Sequence, residues 1–115
     1  MTFPYVRLST LLTLLLCPKL WAQKTELPEP IKVMTFNIRY ANAFGANAWP
    51  KRRAGVVELI REQKPGIIGT QEGLHHQLLY MDKELAEYKW IGVGREGGKR
   101  GEFMAIFYRS DRLNP

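Results

Sequence analysis

Apolar positions recur along this chain in three rhythms, and each predicts a different kind of element. Leu8, Ser9, Thr10, Leu11, Leu12, Thr13, Leu14, Leu15 and Leu16 form a short apolar run behind Arg7, with no acidic residue before Glu26. A membrane-crossing helix needs roughly 20 consecutive apolar residues, and Pro18 and Lys19 end this run before that. A basic residue, a short apolar stretch and a small residue at Ala22 are the marks of an export leader. Residues 1–22 are therefore expected to be a signal peptide, cleaved after Ala22 to leave a mature chain that starts at Gln23. Such a chain is secreted or periplasmic and keeps no stable membrane anchor. Cys17 offers a rival reading as a lipid-modified cysteine, but Leu16 stands where a small residue is normally required. Residues 23–30 are polar, carry Pro28 and Pro30, and read as a linker.

The second rhythm is the strand. Ile31, Val33, Thr35 and Asn37 alternate with Lys32, Met34, Phe36 and Ile38, and apolar residues on both faces suit an inner strand covered on both sides. Helical spacing, the third rhythm, then takes over. Trp49 and Pro50 open a helix in which Val56, Leu59, Ile60 and Gln63 recur, and Lys64 and Pro65 stop it. Gly66 leads into a second strand through Ile67, Ile68, Gly69, Thr70 and Gln71 to Glu72. Leu74, Leu78, Met81 and Leu85 form the apolar stripe of a second helix. Tyr88, Trp90 and Gly92 alternate with Lys89, Ile91 and Val93, a Gly-rich basic loop covers residues 94–101, and residues 103–108 are strongly apolar. This last stretch reads as a hairpin.

A strand, a helix and a strand make two parallel strands, and such crossovers are right-handed with the strands usually adjacent. Their carboxyl ends then share one edge, where open parallel sheets commonly bind ligands. Asn37 ends the first strand and Glu72 the second, so an amide and a carboxylate are expected to meet there. The bland alternative gives Asn37 to a turn and Glu72 to a helix cap.

Composition narrows the picture without identifying a reaction. The chain has 115 residues, 45% hydrophobic and 24% charged, which fits one globular domain at most. Its single cysteine excludes a disulfide framework and a cysteine-rich zinc module. The formal charge is +6, and loss of Arg7 and Lys19 with the leader leaves +4, which suits an anionic partner such as a phosphate ester or nucleic acid.

Some motif matches fail on physical grounds. Gly92, Gly94 and Gly97 satisfy G-x-G-x-x-G, but that fingerprint needs a following helix to hold a pyrophosphate, and a strand follows here. Glu72 and His75 form Glu-x-x-His without the second copy or the all-helical frame of a di-iron bundle. Neighbours on a helix point about 100° apart, so His75 and His76 cannot share one metal. Arg95, Lys99 and Arg100 are possible phosphate contacts, although a charged hairpin tip is more often simply solvated.

Three segments in order, residues 31–40 (IKVMTFNIRY), 67–72 (IIGTQE) and 101–109 (GEFMAIFYR), with the Trp49 helix start between the first two, resemble the endonuclease/exonuclease/phosphatase superfamily. That resemblance implies an α/β fold in which residues 31–115 form the N-terminal half of a two-layer β-sandwich flanked by helices, as in deoxyribonuclease I, and truncated. It implies that Glu72 binds a catalytic divalent metal, Mg²⁺ or Mn²⁺. Asn37 matches the first-strand asparagine, with a catalytic or metal-site role either in holding Glu72 or in presenting its amide to phosphate. Glu102 matches the acidic residue that orients a catalytic histidine, and Arg39 a guanidinium facing the substrate phosphate. One or two carboxylates are what a hard cation asks for when waters and phosphate oxygens complete its shell.

The Asp-x-Asn strand and late Asp-His pair implied by the resemblance are absent from these residues, and His75 and His76 lie outside that motif. The expected function is thus a fragment of an exported metal-dependent phosphoester hydrolase, inactive alone, on a substrate of unread type: nucleic acid, lipid or sugar phosphate. The alternative is a non-catalytic binding module or half of a split enzyme. An unpartnered sheet is also expected to expose an apolar face.

Overall fold

The computed structural model describes residues 28–41 and 44–115. The leader and residues 23–27 of the linker lie outside the described residues. Strand β1 (Val33–Asn37) is followed by a short 3-10 turn (Gly45–Asn47), helix α1 (Trp49–Gln63), strand β2 (Ile67–Gln71), helix α2 (His75–Glu84), strand β3 (Tyr88–Ile91) and strand β4 (Ile106–Arg109). The strands form one sheet in the order β1-β2-β4-β3. β1 and β2 are parallel, with Asn37 opposite Gln71, while β4 runs antiparallel to both β2 and β3.

Each helix begins and ends where its residues dictate. Pro50 sits in the first turn of α1, where its missing N–H costs nothing. Lys64 closes α1 in the left-handed conformation (φ 47°), its N–H reaching the Ile60 carbonyl at 2.9 Å. At the start of α2, Gln77 Oε1 accepts from the Leu74 N–H at 2.9 Å and thereby satisfies a free amide of the first turn.

Both helices deliver apolar side chains to one cluster. Val56, Val57 and Ile60 of α1 and Leu78 and Met81 of α2 are buried with Ile68 of β2, Tyr88 of β3 and Phe107 of β4, and Met34, Phe36 and Trp90 pack against them. Met34, Ile68, Phe107 and Trp90 are successive register partners and so share that face. The opposite face behaves differently. Val33, Ile91 and Ile106 are exposed there, and a shallow apolar depression is lined by Ile67, Ile91, Ile106, Tyr108 and Leu113.

This corrects the reading of β1 as an inner strand. Among the described residues β1 is an edge strand, and burial alternates along it, with Val33 68% exposed. Apolar side chains on both faces do not by themselves reveal which face the helices cover. The predicted hairpin is present, with shorter regular pairing than expected, and its second strand, β4, pairs with β2.

Residues 92–105, which connect β3 to β4, fold back over the carboxyl end of β2. The Phe103 N–H donates to the Gly73 carbonyl at 2.7 Å, and Phe103 also bridges Gly94. Gly94 is required at this close approach, because a Cβ there would lie 1.9 Å from the Arg100 carbonyl oxygen. Of the G-x-G-x-x-G glycines, Gly92 and Gly94 serve close backbone approaches and Gly97 a left-handed turn (φ 89°), and no helix follows them.

Candidate functional site

The register of β1 and β2 brings Asn37 and Glu72 to one edge. The Asn37 Nδ2 amide donates to Glu72 Oε1 at 2.8 Å, and the Tyr40 N–H donates to Glu72 Oε2 at 3.2 Å. The Arg39 N–H donates to Asn37 Oδ1 at 2.8 Å, which fixes the amide orientation, since only the nitrogen can face a carboxylate that accepts on both oxygens. Both exits from the strands use left-handed backbone on residues other than glycine: Arg39 has φ 59° and Glu72 has φ 60°. Such conformations cost on the order of 1–3 kcal/mol and cluster where side chains must be held in unusual directions.

These donors hold the Glu72 carboxyl below its usual pKa. The hydrogen bond from Asn37 is the main cause and the Tyr40 N–H the next; burial opposes them, and the guanidiniums of Arg39 and Arg52 each add a smaller lowering effect. Glu72 is therefore an anion at neutral pH. Each of its oxygens has one donor and keeps a further lone pair, so the residue suits a hard cation. Asn37 points its nitrogen at Glu72, so its contact acts on the carboxylate, and only its oxygen remains a potential ligand.

Glu72 borders a cavity of about 370 Å³, also lined by Gln71, Val93, Arg95, Glu102, Phe103 and Met104. Glu102 thus shares a cavity with Glu72, as its own segment folds over the β2 end. It is ion-paired with Arg95, and its side chain is 32% exposed. The Arg39 side chain is exposed beside the same edge. His75 packs against Trp90 and Phe103, with ring centroids 6.2 and 5.8 Å away, which explains it as a packing residue. Among the described residues no three His, Cys, Asp or Glu side chains gather as a metal cage.

Two residues went unnoticed in the sequence. Arg52 on α1 donates to the carbonyls of Ile38, Arg39 (2.6 Å) and Asn47 (2.9 Å). Gln77 on α2 is wholly buried and donates from Nε2 to the Arg39 carbonyl at 3.0 Å. For Gln77 a signal existed, because it lies on the helix face that also carries Leu74, Leu78 and Met81. Arg52 carries none, since its partners are backbone atoms far along the chain.

The model of the Endonuclease/Exonuclease/phosphatase family matches residues 34–115. The chain belongs to this family. Among solved structures, it is similar to an endonuclease/exonuclease/phosphatase from Bacteroides vulgatus (43% identity, TM-score 0.65), over 67% of this chain and 30% of that protein. A family protein from Bacteroides thetaiotaomicron is 38% identical over 70% of this chain and 30% of its own, with a TM-score of 0.66. A mannosyl-6-phosphatase of Bacteroides thetaiotaomicron VPI-5482 is also 38% identical, over 71% of this chain and 32% of that protein, with a TM-score of 0.66. The chain therefore spans under a third of the length of these family members. No curated protein matches it.

Proposed function

We propose that this chain contributes the metal-carboxylate edge of a divalent-cation-dependent phosphoester hydrolase. The observation that carries this reading is the Glu72 carboxylate, kept ionised at the shared strand edge by Asn37 and the Tyr40 N–H. Glu72 would hold Mg²⁺ or Mn²⁺, with waters and substrate oxygens as the other ligands. The cation, when bound, stabilises negative charge on the phosphoryl oxygens and leaving group. The protein's own residues prepare the place. Asn37 holds the carboxylate in direction and charge state, and Arg39 supplies a planar cation suited to a phosphate oxygen pair. Arg95 pairs with Glu102 at the cavity wall, where Glu102 would be available to orient a partner histidine.

A sugar phosphate is the first substrate class in this proposal, drawn from the named activity of the mannosyl-6-phosphatase, with nucleic acid and lipid phosphodiesters as the competitors. The leader read over residues 1–22 places the activity outside the cytoplasm, and N-terminal sequencing of exported protein is expected to start at Gln23.

The test is hydrolysis of p-nitrophenyl phosphate and bis(p-nitrophenyl) phosphate by the intact protein. The monoester is expected to be turned over faster, with loss of activity in EDTA and in Glu72→Gln. Turnover that survives both treatments overturns the metal assignment, and preference for the diester overturns the substrate class.

A further inference from the structure

Beyond Ile38, whose N–H still reaches the Gln71 carbonyl at 3.1 Å, the backbone leaving β1 has no strand partner. Side chains from two helices take over. The Arg39 carbonyl accepts from Arg52 Nη2 of α1 at 2.6 Å and from Gln77 Nε2 of α2 at 3.0 Å. That carbonyl and the Tyr40 N–H belong to a single planar peptide unit, in which they point in opposite directions. Fixing the oxygen therefore aims the N–H, and the N–H is the donor to Glu72 Oε2 at 3.2 Å.

We propose that Arg52 and Gln77 are positioning residues, which act through the Arg39–Tyr40 peptide plane to orient and hold the Glu72 carboxylate. The proposal rests on the reading of Glu72 as the metal carboxylate. Three features carry it beyond ordinary loop packing. Arg39 is held at φ 59°, a conformation that an L side chain leaves unless surrounding contacts over-determine it. Gln77 is 0% exposed and divides its two polar atoms, the oxygen capping α2 and the nitrogen serving the Arg39 carbonyl. Arg52 spans the Ile38, Arg39 and Asn47 carbonyls, so it ties the whole turn to the start of α1, where it also lies over the Trp49 ring at 5.1 Å.

The experiment measures Mn²⁺ affinity of the intact protein by electron paramagnetic resonance, with thermal unfolding and amide exchange at Tyr40 recorded on the same samples. Gln77→Glu keeps an oxygen for the Leu74 N–H and removes the donor to Arg39. Arg52→Lys keeps the charge but cannot reach three carbonyls. Each is expected to weaken Mn²⁺ binding about 10-fold or more, the range typical of groups that orient a metal ligand, and to speed exchange at Tyr40. Because both act on one peptide plane, the double variant is expected to lose little more than the stronger single one. Arg53→Ala is the control: Arg53 stacks over Tyr80 at 4.7 Å and, among the described residues, donates no hydrogen bond to the Ile38–Tyr40 backbone.

Unchanged Mn²⁺ affinity in both variants, alongside weakened binding in Glu72→Gln, overturns the positioning role while the metal reading stands. Fully additive effects overturn the shared peptide plane. If Glu72→Gln itself leaves Mn²⁺ binding unchanged, the metal reading fails, and exchange at Tyr40 alone decides the positioning role, an unchanged rate in Arg52→Lys refuting it. Should Gln77→Glu unfold, Arg52→Lys carries the same comparison.

Discussion

Among the described residues, apart from the helix end at Lys64 and the turn at Gly45, positive φ falls in two regions that handle it in opposite ways. At the ends of β1 and β2 it falls on Arg39 and Glu72, residues with large charged side chains. In the connection between β3 and β4 it falls on Gly97, Gly98 and Gly101, with φ of 89°, 55° and 74°. Left-handed backbone costs an ordinary L residue roughly 1–2 kcal/mol, and glycine almost nothing. The connection needs only to turn, so glycine serves there. At the strand edge, on the proposed reading, the side chain is itself the useful part, and Asn37, Arg52 and Gln77 hold the turn at Arg39 through its N–H and carbonyl.

The largest effect that tests this contrast lies in the connection. Gly94→Ala would place a Cβ on the Arg100 carbonyl oxygen, a backbone atom that cannot step aside. A loss of about 3 kcal/mol is expected, at the upper end of what overpacking usually costs, measured by urea unfolding of the intact protein. A loss below about 0.5 kcal/mol would mean that the connection is pliable, and that the contrast with the strand edge is one of degree.

At the strand edge, removal of the amide should act on chemistry more than on stability. Asn37→Ala is expected to lower Mg²⁺ affinity about 10- to 100-fold, as loss of a group that orients a metal ligand commonly does. Calorimetric titration with Mg²⁺ reads it. The same variant should return the Glu72 carboxyl upward toward the ordinary glutamate range, because its principal hydrogen-bond donor is gone. Since the native pKa is depressed, the stability linked to Glu72 is complete above that ordinary range and is lost as pH falls through the lower native one. The acid limb of the unfolding profile should therefore flatten in Asn37→Ala. An identical limb in both proteins would separate the amide from the charge state of Glu72.

What could be read in the sequence follows from how local each cause is. The strand, helix and strand around Trp49 announce themselves by periodicity and proline placement, and the right-handed crossover then brings Asn37 to Glu72 with no further information. The place of β1 in the sheet was not readable in that way. Among the described residues no strand pairs on the far side of β1, and both helices pack on the face opposite Val33; neither fact leaves a mark in the alternation along β1 itself. Arg52 was hidden for a different reason. Its partners are carbonyls of Ile38, Arg39 and Asn47, and backbone acceptors leave no residue pattern to match. The ion pair of Glu102 with Arg95 likewise depends on a turn that only the folded connection creates.

That ion pair gives a smaller prediction. Arg95 and Glu102 are both partly exposed, and such pairs contribute at most about 1 kcal/mol. Arg95→Ala is therefore expected to change stability by less than that, and to change less still at high salt, in urea titrations at two ionic strengths. A larger loss would make the connection a structural support of the site and weaken its contrast with the strand edge.

The smallest stability effect expected is also the one that separates strain from function most cleanly. Arg39→Gly removes a side chain from left-handed backbone and leaves untouched the carbonyl held by Arg52 and Gln77. Relief of strain should raise stability by about 1 kcal/mol, offset in part by the greater freedom of glycine in the unfolded chain, about 0.5–1 kcal/mol. A small net gain in urea midpoint is expected, together with weaker binding of inorganic phosphate in the presence of Mg²⁺, because a bidentate cation has gone. Gain and loss together would mean that Arg39 occupies a strained position for the sake of its guanidinium. A variant that is neither more stable nor weaker in phosphate binding would instead place Arg39 with the glycines of the connection, as a residue whose backbone alone matters.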